Sequence, residues 1–376
     1  MTSQVSHSAN AAAVGLSKNE LETPALCLDL EIYERNTVRM AEFIIGRCGL
    51  KWRPHMKGQK VPELARRAVE AGAIGVTCAT VYEAEAMVEA GIESILLANQ
   101  VVGERKLSRV ARLERSATVI VATDSATHLE MLSAAARKEG VEIPVVVEVD
   151  TGMNRCGVLP GEPTAKLAAT ACATPGIRFS GLMTWEGHTL LHEDERKIQL
   201  IREAITSLSG TAQQCRHAGI PVEIVSCSGS GTYLISGDTP GITEIQAGGG
   251  VFCDMAYRRW GLSHEFALTV ATRVVSRPAP TRIIVDGGFK SMSFQHGMPQ
   301  PLGIGNLKSA VYTAEHGILE LESPCTTPGV GDLVEFVPGY GDSTVCLHDE
   351  MCALRNGTVE AVWAIPGRSG RRQTRS

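Results

Sequence analysis

Two short segments carry side chains that can bind a charged cofactor. Residues 149–158 read Val-Asp-Thr-Gly-Met-Asn-Arg-Cys-Gly-Val, so that Arg155 follows an apolar strand, an acid and a glycine turn. In barrels of alternating strands and helices, chemistry gathers at the carboxyl ends of the strands. About 90 residues earlier, Arg-Pro-His-Met-Lys places Lys57 just past another short apolar stretch. Together the two segments predict a cofactor site with one amine and one cation.

Two loops rich in glycine and serine are candidates for binding phosphate. Residues 226–232 read Ser-Cys-Ser-Gly-Ser-Gly-Thr, residues 246–250 read Gln-Ala-Gly-Gly-Gly, and each loop follows a predicted strand. Backbone N–H groups in such loops bind phosphate, and the ends of consecutive barrel strands can form a single phosphate site. The predicted phosphate ligands are Gly229, Ser230, Gly231, Thr232, Gly248 and Gly249.

The composition is that of an ordinary globular protein. The chain has 376 residues, of which 44% are hydrophobic, and this length allows two domains with sizeable cores. A formal net charge of −5 gives no reason to expect nucleic acid or an anionic membrane surface as a partner. No window reaches the roughly 18 apolar residues of a membrane span. We therefore expect neither nucleic acid nor a membrane to be a partner.

The cysteines and the N-terminal residues indicate the cellular compartment. The sequence has 11 cysteines without a Cys-x-x-Cys pair, which argues against a zinc knuckle or a redox dithiol and favours the cytoplasm. The Ser/Ala-rich start lacks a basic beginning and an apolar core, so it is not a secretory signal. Residues 1–20 are predicted to be a disordered tail.

Short apolar strands alternate with helical stretches from residue 25 to about residue 255. The predicted strands are 25–28, 74–78, 95–98, 118–122, 144–149, 179–184, 223–226 and 242–246. The predicted helices are 61–71, 81–90, 125–138 and 193–218, and the first two stop at Gly72 and Gly91. This alternation predicts a parallel sheet covered by helices, and the number of units fits a closed barrel.

The pattern changes after Tyr257, where long helical windows are missing. Strands joined by Gly, Pro and Asp turns are predicted at 266–275, 282–286, 308–313, 333–336 and 358–362. The predicted domains are therefore a tail (1–20), a barrel (21–257), a mainly β domain (258–367) and a second tail (368–376).

The order and spacing of the motifs resemble one family of enzymes that use pyridoxal 5′-phosphate (PLP). The segment Asp-Thr-Gly-Met-Asn-Arg-x-Gly is similar to one in alanine racemases. Pro-His-x-Lys, Arg-Cys-Gly and Leu-His-Asp are similar to motifs of the D-threonine aldolase and D-serine dehydratase family. The resemblance extends from about Thr23 to Pro366. It implies an α/β fold, a (β/α)8 TIM-like barrel of the alanine racemase type followed by a mainly β C-terminal domain, with the first strand of the chain joining the β domain.

The resemblance implies that Lys57 carries PLP covalently. This role needs an amine that is partly unprotonated at neutral pH, which burial and a neighbouring cation provide. Arg53, His55 and Lys60 are close in sequence and are expected to lower the pKa of Lys57. The alternative, without the resemblance, is a solvated basic patch before a helix.

The resemblance also implies that Arg155 binds near the PLP ring. A cation there stabilises the phenolate oxygen and tunes the electron sink. The alternative is a structural ion pair with Asp150 or Glu148.

A base for the substrate hydroxyl is implied after the strand at 179–184. The family has a Tyr-His-Gly segment here and, a few residues on, a His that acts as the base. In this chain Trp185 and Glu186 replace the Tyr-His pair, and His192 is the best match for the base. The alternative is a surface His at a helix N-terminus.

A divalent metal (Mn, Mg or Zn) is implied near residue 342. Aldolases and dehydratases of the family have His-x-Asp or His-x-Cys at Tyr340 and Asp342, and the metal polarises the substrate's 3-hydroxyl group. In this chain a Tyr replaces the His, and a neutral phenol is a poor ligand at pH 7. Asp342 is left as a weak site, unless His348 or a neighbour completes it.

Three functions follow from the resemblance. The main prediction is a PLP-dependent lyase that cleaves a D-3-hydroxy amino acid to glycine and an aldehyde, or else a D-serine or D-3-hydroxyaspartate dehydratase that deaminates it. The second is an amino-acid racemase or epimerase, which needs no metal. The third is a non-catalytic PLP carrier, against which the complete second domain argues. The implied partners are a small D-amino acid and a second copy of the chain in a homodimer.

Overall fold

The chain folds into two compact units. The computed structural model describes residues 11–368. One unit, the barrel unit, comprises Val38–Gly249. The other, the β unit, joins the residues up to Thr37 to those from Gly250 onward. The first strand is β1 (Ala25–Asp29), and α1 (Leu30–Ala41) follows it directly.

The barrel unit is a closed ring of eight parallel strands, which confirms the predicted barrel. Its strands are β2 (Lys51–Trp52), β3 (Val76–Cys78), β4 (Ser94–Leu97), β5 (Thr118–Thr123), β6 (Ile143–Glu148), β7 (Ile177–Met183), β8 (Ile224–Cys227) and β9 (Glu244–Ile245). They pair in the order β2-β9-β8-β7-β6-β5-β4-β3. The ring closes just past β2, where the Met56 N–H donates to the Thr77 carbonyl at 2.7 Å and the Thr77 N–H donates to the Pro54 carbonyl at 2.9 Å.

Helices connect the barrel strands. They are α2 (Pro62–Glu70), α3 (Val81–Glu89), α4 (Glu104–Leu113), α5 (Ala126–Glu139), α6 (Glu162–Ala173), α7 (Asp194–His217) and α8 (Tyr233–Ser236). Gly72 and Gly91, predicted to stop α2 and α3, lie just beyond them with φ of +100° and +88°, a backbone region that favours glycine. Within residues 11–368, no helix has both the length and the apolar character required to cross a membrane.

Burial explains which barrel strands the sequence revealed. All six residues of β6 are buried, as expected for a parallel strand covered on both faces. Leu96, Ile120, Val146 and Met183 come from four strands and pack into one buried cluster. The sequence analysis missed β2, because a two-residue strand carries no periodic pattern.

The β unit is built on a nine-stranded sheet. Besides β1, its strands are β10 (Leu268–Ala279), β11 (Arg282–Val285), β12 (Gln300–Pro301), β13 (Leu307–Tyr312), β14 (Gly317–Leu321), β15 (Leu333–Val337), β16 (Glu350–Arg355) and β17 (Thr358–Ala364). The main path runs β13-β14-β11-β10-β1-β16-β17, with β15 on β10 and β12 on β15. Two helices, α9 (Met255–Arg259) and α10 (Gly341–Val345), complete it within the described residues. The N-terminal strand β1 therefore belongs to this sheet, antiparallel to β10 and parallel to β16.

The boundary between the units lies before residue 250, whereas the sequence analysis placed it after residue 257. The carbonyl of Phe252 accepts the N–H groups of Ala267 and Leu268 at 2.8 and 3.3 Å, so this segment is hydrogen-bonded into the β unit. The change in periodicity begins only after Tyr257, so it does not reveal this earlier boundary.

The N-terminal residues 11–20 differ from the predicted disordered tail. The Gly15 N–H donates to the Val359 carbonyl at 2.8 Å, and the Val359 N–H donates to the Leu16 carbonyl at 2.9 Å. Ser17 caps the short 3-10 helix Lys18–Glu20. These residues are ordered because β17 supplies backbone partners, which local composition does not reveal. Residues 1–10 and 369–376 of the predicted tails lie outside the described residues.

Candidate active site

Loops after five barrel strands carry the predicted site residues. Lys57, Arg155 and His192 follow β2, β6 and β7, while residues 228–232 and 248–249 follow β8 and β9. Because the strands are parallel, these loops all emerge at the carboxyl end of the barrel. The two phosphate-loop candidates lie on neighbouring strands, since β8 pairs with β9.

The cations near Lys57 are paired with buried carboxylates. Arg53 Nε lies 3.2 Å from Glu244 Oε1, and the two side chains are 4% and 2% exposed. Lys60 Nζ forms an ion pair with the Glu83 carboxylate, which is also buried. A charge is costly to bury without a partner, so these pairs fix the segment that carries Lys57. Arg53 and Lys60, expected to act on Lys57 as cations, are thus each neutralised by an acid.

His55 is held in its neutral form. Burial lowers its pKa well below the usual value, and the charges of Lys57 and Lys60 lower it further. Its Nδ1 accepts the backbone N–H of Lys57 at 3.3 Å. His55 therefore contributes no charge at neutral pH and orients the backbone at Lys57 instead.

The Trp185 ring contacts both Lys57 and the first glycine loop. Lys57 Nζ lies 5.7 Å from the centroid of the ring. A Cβ added at Gly229 would lie 2.5 Å from Trp185 Cη2, so only glycine fits beneath the ring. From the sequence, Trp185 was only a departure from the family pattern. It follows β7 but contacts residues that follow β2 and β8, and such long-range contacts cannot be read from the sequence.

A buried carboxylate organises loop 228–232. Glu186 is fully buried; its Oε2 accepts the Ser228 N–H at 3.2 Å, and its Oε1 accepts the hydroxyls of Thr232 at 2.6 Å and Ser236 at 3.2 Å. Burial raises the pKa of Glu186, and these hydrogen bonds oppose the rise. The Thr232 oxygen in turn accepts the Gly229 N–H at 3.2 Å. Thr232, predicted to contact phosphate, thus donates its hydroxyl proton to Glu186.

Gln59 links the second glycine loop to the Lys57 segment. Its Nε2 donates to the Gly248 carbonyl at 3.1 Å, and a Cβ at Gly248 would lie 2.4 Å from the His55 carbonyl oxygen. The Gln59 Oε1 is buried and accepts no hydrogen bond within residues 11–368. An orphaned buried acceptor is rare in a packed core, so this oxygen calls for a hydrogen-bond donor that the described residues do not supply. The sequence analysis missed Gln59, although it lies only two residues from Lys57.

The Asp150 side chain fixes the backbone of the loop that carries Arg155. Asp150 Oδ1 accepts the N–H groups of Gly152 and Asn154, both at 3.0 Å. Arg155 lies 3.6 Å from Glu148 Oε1 and its side chain is 53% exposed. Of the two carboxylates considered as partners, Glu148 is the one that pairs with Arg155. The guanidinium remains half accessible, so this ion pair does not exclude a ligand.

Two histidines follow β7, and their environments differ. The His188 ring packs against Gly152, where an added Cβ would lie 2.8 Å from His188 Nε2. Burial lowers the pKa of His188, partly opposed by the charge of Asp150. His192, predicted to be the base, is exposed after the 3-10 helix Gly187–Leu191. The structure therefore places His188, and not His192, against the loop of Arg155.

Tyr340 and Asp342 lie in the β unit, where they are hydrogen-bonded to each other. The hydroxyls of Tyr340 and Tyr257 donate to the Asp342 carboxylate at 2.9 and 3.3 Å. His348 Nε2 instead forms a hydrogen bond with the Ser291 carbonyl at 2.7 Å. In the described part of the chain, no group of three or more His, Cys, Asp or Glu residues is arranged to hold a metal ion. These residues do not fit the divalent cation that the resemblance implies.

Comparison with known proteins identifies the family. The alanine racemase N-terminal domain matches residues 28–255, and a putative serine dehydratase domain matches residues 267–354. The chain is 35% identical over 353 residues to D-threonine aldolase from an Arthrobacter species, with 93% of each chain covered. It is 33% identical to 3-hydroxy-D-aspartate aldolase from Paracoccus denitrificans, with 95% of each covered. The crystal structure of D-threonine aldolase from Filomicrobium marinum matches with a TM-score of 0.90 at 34% identity, covering 95% of this chain and 99% of that one.

The chain thus belongs to the family of PLP-dependent lyases that contains these aldolases. This confirms the resemblance drawn from the motifs and the barrel of the alanine racemase type.

Proposed function

We propose that this protein is an aldolase that cleaves a D-3-hydroxy amino acid to glycine and an aldehyde. Its membership of a family that contains two similar aldolases supports carbon–carbon bond cleavage as the reaction class. The structural observation that carries the proposal is the contact of Lys57 with Trp185, which in turn covers Gly229. An amine is thereby placed beside a glycine loop at the catalytic end of a barrel.

The residues at this end of the barrel fit PLP. When bound, PLP supplies an electron sink that stabilises the carbanion left as a bond to the amino acid's α-carbon breaks. Lys57 offers the amine that binds its aldehyde group, and Arg155 offers a half-exposed cation. Loops 228–232 and 248–249 are the candidates for binding its phosphate through backbone N–H groups other than those of Ser228, Gly229 and Thr232, which donate within the protein. The orphaned Gln59 Oε1 beside Gly248 supports a ligand at this position.

Cleavage of a 3-hydroxy amino acid requires a base that removes the hydroxyl proton. The base must be unprotonated at neutral pH and within hydrogen-bond reach of the hydroxyl. His192 is the candidate from sequence. His188 is the candidate from structure, because burial lowers its pKa and its ring lies against Gly152 in the loop of Arg155.

A dehydratase is the second candidate function. The match of residues 267–354 to the putative serine dehydratase domain favours it. A dehydratase releases ammonia from the same class of substrate, so the two reactions differ in product and not in the amino acid that is bound.

The test is a screen of D- and L-amino acids that measures glycine, ammonia and chirality separately, with Lys57→Ala as the control for background. Glycine and acetaldehyde from D-threonine, without ammonia, support the aldolase. Ammonia with a keto acid moves the assignment to a dehydratase. Loss of optical activity without either product moves it to a racemase.

We also propose that the protein is cytoplasmic and forms a homodimer. Its small-molecule partner is a D-amino acid. The 11 free cysteines support a reducing compartment. Sedimentation equilibrium of the holoenzyme tests the dimer, and a monomer at micromolar concentration would contradict it.

A further inference from the structure

Both oxygens of the Asp342 carboxylate accept hydrogen bonds from phenols. Tyr340 donates to Oδ2 at 2.9 Å, and Tyr257 donates to Oδ1 at 3.3 Å. A carboxylate that binds a metal directs its lone pairs to the cation. Here a cation would have to replace at least one O–H donor, and the displaced hydroxyl would lose its acceptor.

Aromatic packing holds the Tyr340 phenol in place. Its ring lies 5.1 Å from His296 at 86°, 5.9 Å from Trp260 at 76°, and 6.1 Å from Tyr257 at 51°. Tyr257 and Trp260 also meet edge to face at 5.4 Å. Edge-to-face and tilted aromatic pairs of this kind are favourable beyond the area they bury. Turning Tyr340 away to admit a cation would disrupt contacts with three rings.

The neighbouring residues Asp254 and His348 form hydrogen bonds with other groups of the β unit. Asp254 accepts the Tyr257 N–H at 2.8 Å and the Gly341 N–H at 2.6 Å, which caps α9 and fixes the start of α10. His348 is hydrogen-bonded to the Ser291 carbonyl. Zinc sites have about four ligands, and Mg²⁺ or Ca²⁺ sites have six or more. In a site that binds its metal tightly, protein side chains supply several of these ligands. Asp342 alone does not provide such a set.

We propose that the hydrogen-bonded unit Tyr340–Asp342–Tyr257 is a metal-free site, and that cleavage by this enzyme uses no divalent cation. The first half of the proposal stands on the geometry of the β unit alone. The second half rests on the proposed aldolase function. The residue that separates this chain from a metal-binding pattern is Tyr340, so this position decides whether Asp342 binds a cation.

The binding half is tested by titrating chelator-treated holoenzyme with MnCl₂, with calorimetry and electron paramagnetic resonance as readouts. The wild type is expected to bind Mn²⁺ no more tightly than its matched variant Asp342→Asn. Tyr340→His should bind at least tenfold more tightly than the wild type, and the double variant Tyr340→His/Asp342→Asn should lose that gain. Stoichiometric Mn²⁺ binding by the wild type that Asp342→Asn abolishes would overturn the proposal. This wild-type comparison decides the question even if Tyr340→His does not fold.

The catalytic half is tested by the turnover of D-threonine before and after removal of metals with EDTA. A change of less than twofold is expected. A loss of activity that Mn²⁺ restores would overturn this half. If no D-3-hydroxy amino acid is cleaved under any condition, the aldolase function fails, while the Mn²⁺ titration still decides the binding half.

Discussion

The Thr232 hydroxyl donates to Oε1 of Glu186 at 2.6 Å, and this contact joins two loops that follow adjacent strands of the barrel. Glu186 also accepts the Ser228 N–H, so the carboxylate holds both ends of loop 228–232. An acid beneath a phosphate loop disfavours the ligand by charge, but here its lone pairs are directed to three donors of the loop and of α8. We infer that Glu186 positions the loop and does not contact the ligand.

Glu186→Gln is expected to weaken PLP binding about tenfold or more. An amide has only one oxygen, so it cannot accept the Ser228 N–H and the Thr232 hydroxyl on separate oxygens as the carboxylate does, and a buried donor left without a partner costs about 1–3 kcal/mol. PLP affinity is measured by fluorescence titration of the apoprotein, with the midpoint of unfolding measured in parallel.

The matched pair Thr232→Ser and Thr232→Val controls this prediction. Serine keeps the hydroxyl and should bind PLP nearly as the wild type does, whereas valine should resemble Glu186→Gln. Normal PLP affinity in Glu186→Gln and Thr232→Val, with only a lower unfolding temperature, would show that the contact serves stability alone.

Lys57→Ala is expected to abolish turnover and the absorbance of covalently bound PLP, because no other amine replaces the side chain. Borohydride reduction of the wild type followed by peptide mapping should find the pyridoxyl label on Lys57. A label on Lys60 or on any other lysine would exclude this assignment.

Arg155→Ala is expected to reduce kcat/KM by at least about tenfold with little change in unfolding temperature, because a hydrogen bond to a charged group contributes about 1.5–3 kcal/mol and about 1.4 kcal/mol corresponds to a tenfold change in rate. Glu148→Gln is the matched control, since it breaks the same ion pair but keeps the guanidinium. Equal effects of the two variants on stability, with full activity in both, would make Arg155 structural.

His188→Asn and His192→Asn separate the two candidate bases. Removal of a general base lowers kcat by about 10²–10⁴-fold. We expect this loss in His188→Asn and less than a tenfold change in His192→Asn, because His192 is exposed. The reverse result would restore His192 as the base, and small effects in both would exclude either histidine from this step.

Glu114 makes stability depend on pH. Burial raises the pKa of Glu114 to about 7, although its hydrogen bond from the Val119 N–H and the charge of Arg178 oppose the rise. The folded state then binds more protons than the unfolded state between about pH 4.3 and pH 7, so stability falls as the pH rises through this window. The slope from this carboxyl stays below about 1.4 kcal/mol per pH unit, since solvent screens the half-buried group. Glu114→Gln should flatten the curve in urea unfolding between pH 5 and pH 8; an unchanged slope would contradict this.

The sequence was informative where signals are local. The barrel and the loop of Arg155 were predictable, because Arg155 follows the apolar strand β6. Lys57 was identified from its sequence motif, because β2 is too short to show a pattern. Contacts between distant segments were not: Glu186 meets Ser228 and Ser236, 42 and 50 residues away. The one available signal was an acid three residues after the buried end of β7. Spacing alone could not show that the His188 ring packs against Gly152 or that His192 is exposed.

The pairing of β2 with β9 has a consequence for how the protein acquires its cofactor. Lys57 follows β2, and β2 pairs with β9 through Lys51 and Glu244, nearly two hundred residues apart. Contacts between such distant segments form late in folding, because closing the loop between them costs entropy. A nascent chain that has not yet emerged past β9 cannot hold its lysine opposite the glycine loops. PLP capture during synthesis would therefore report completion of the whole ring.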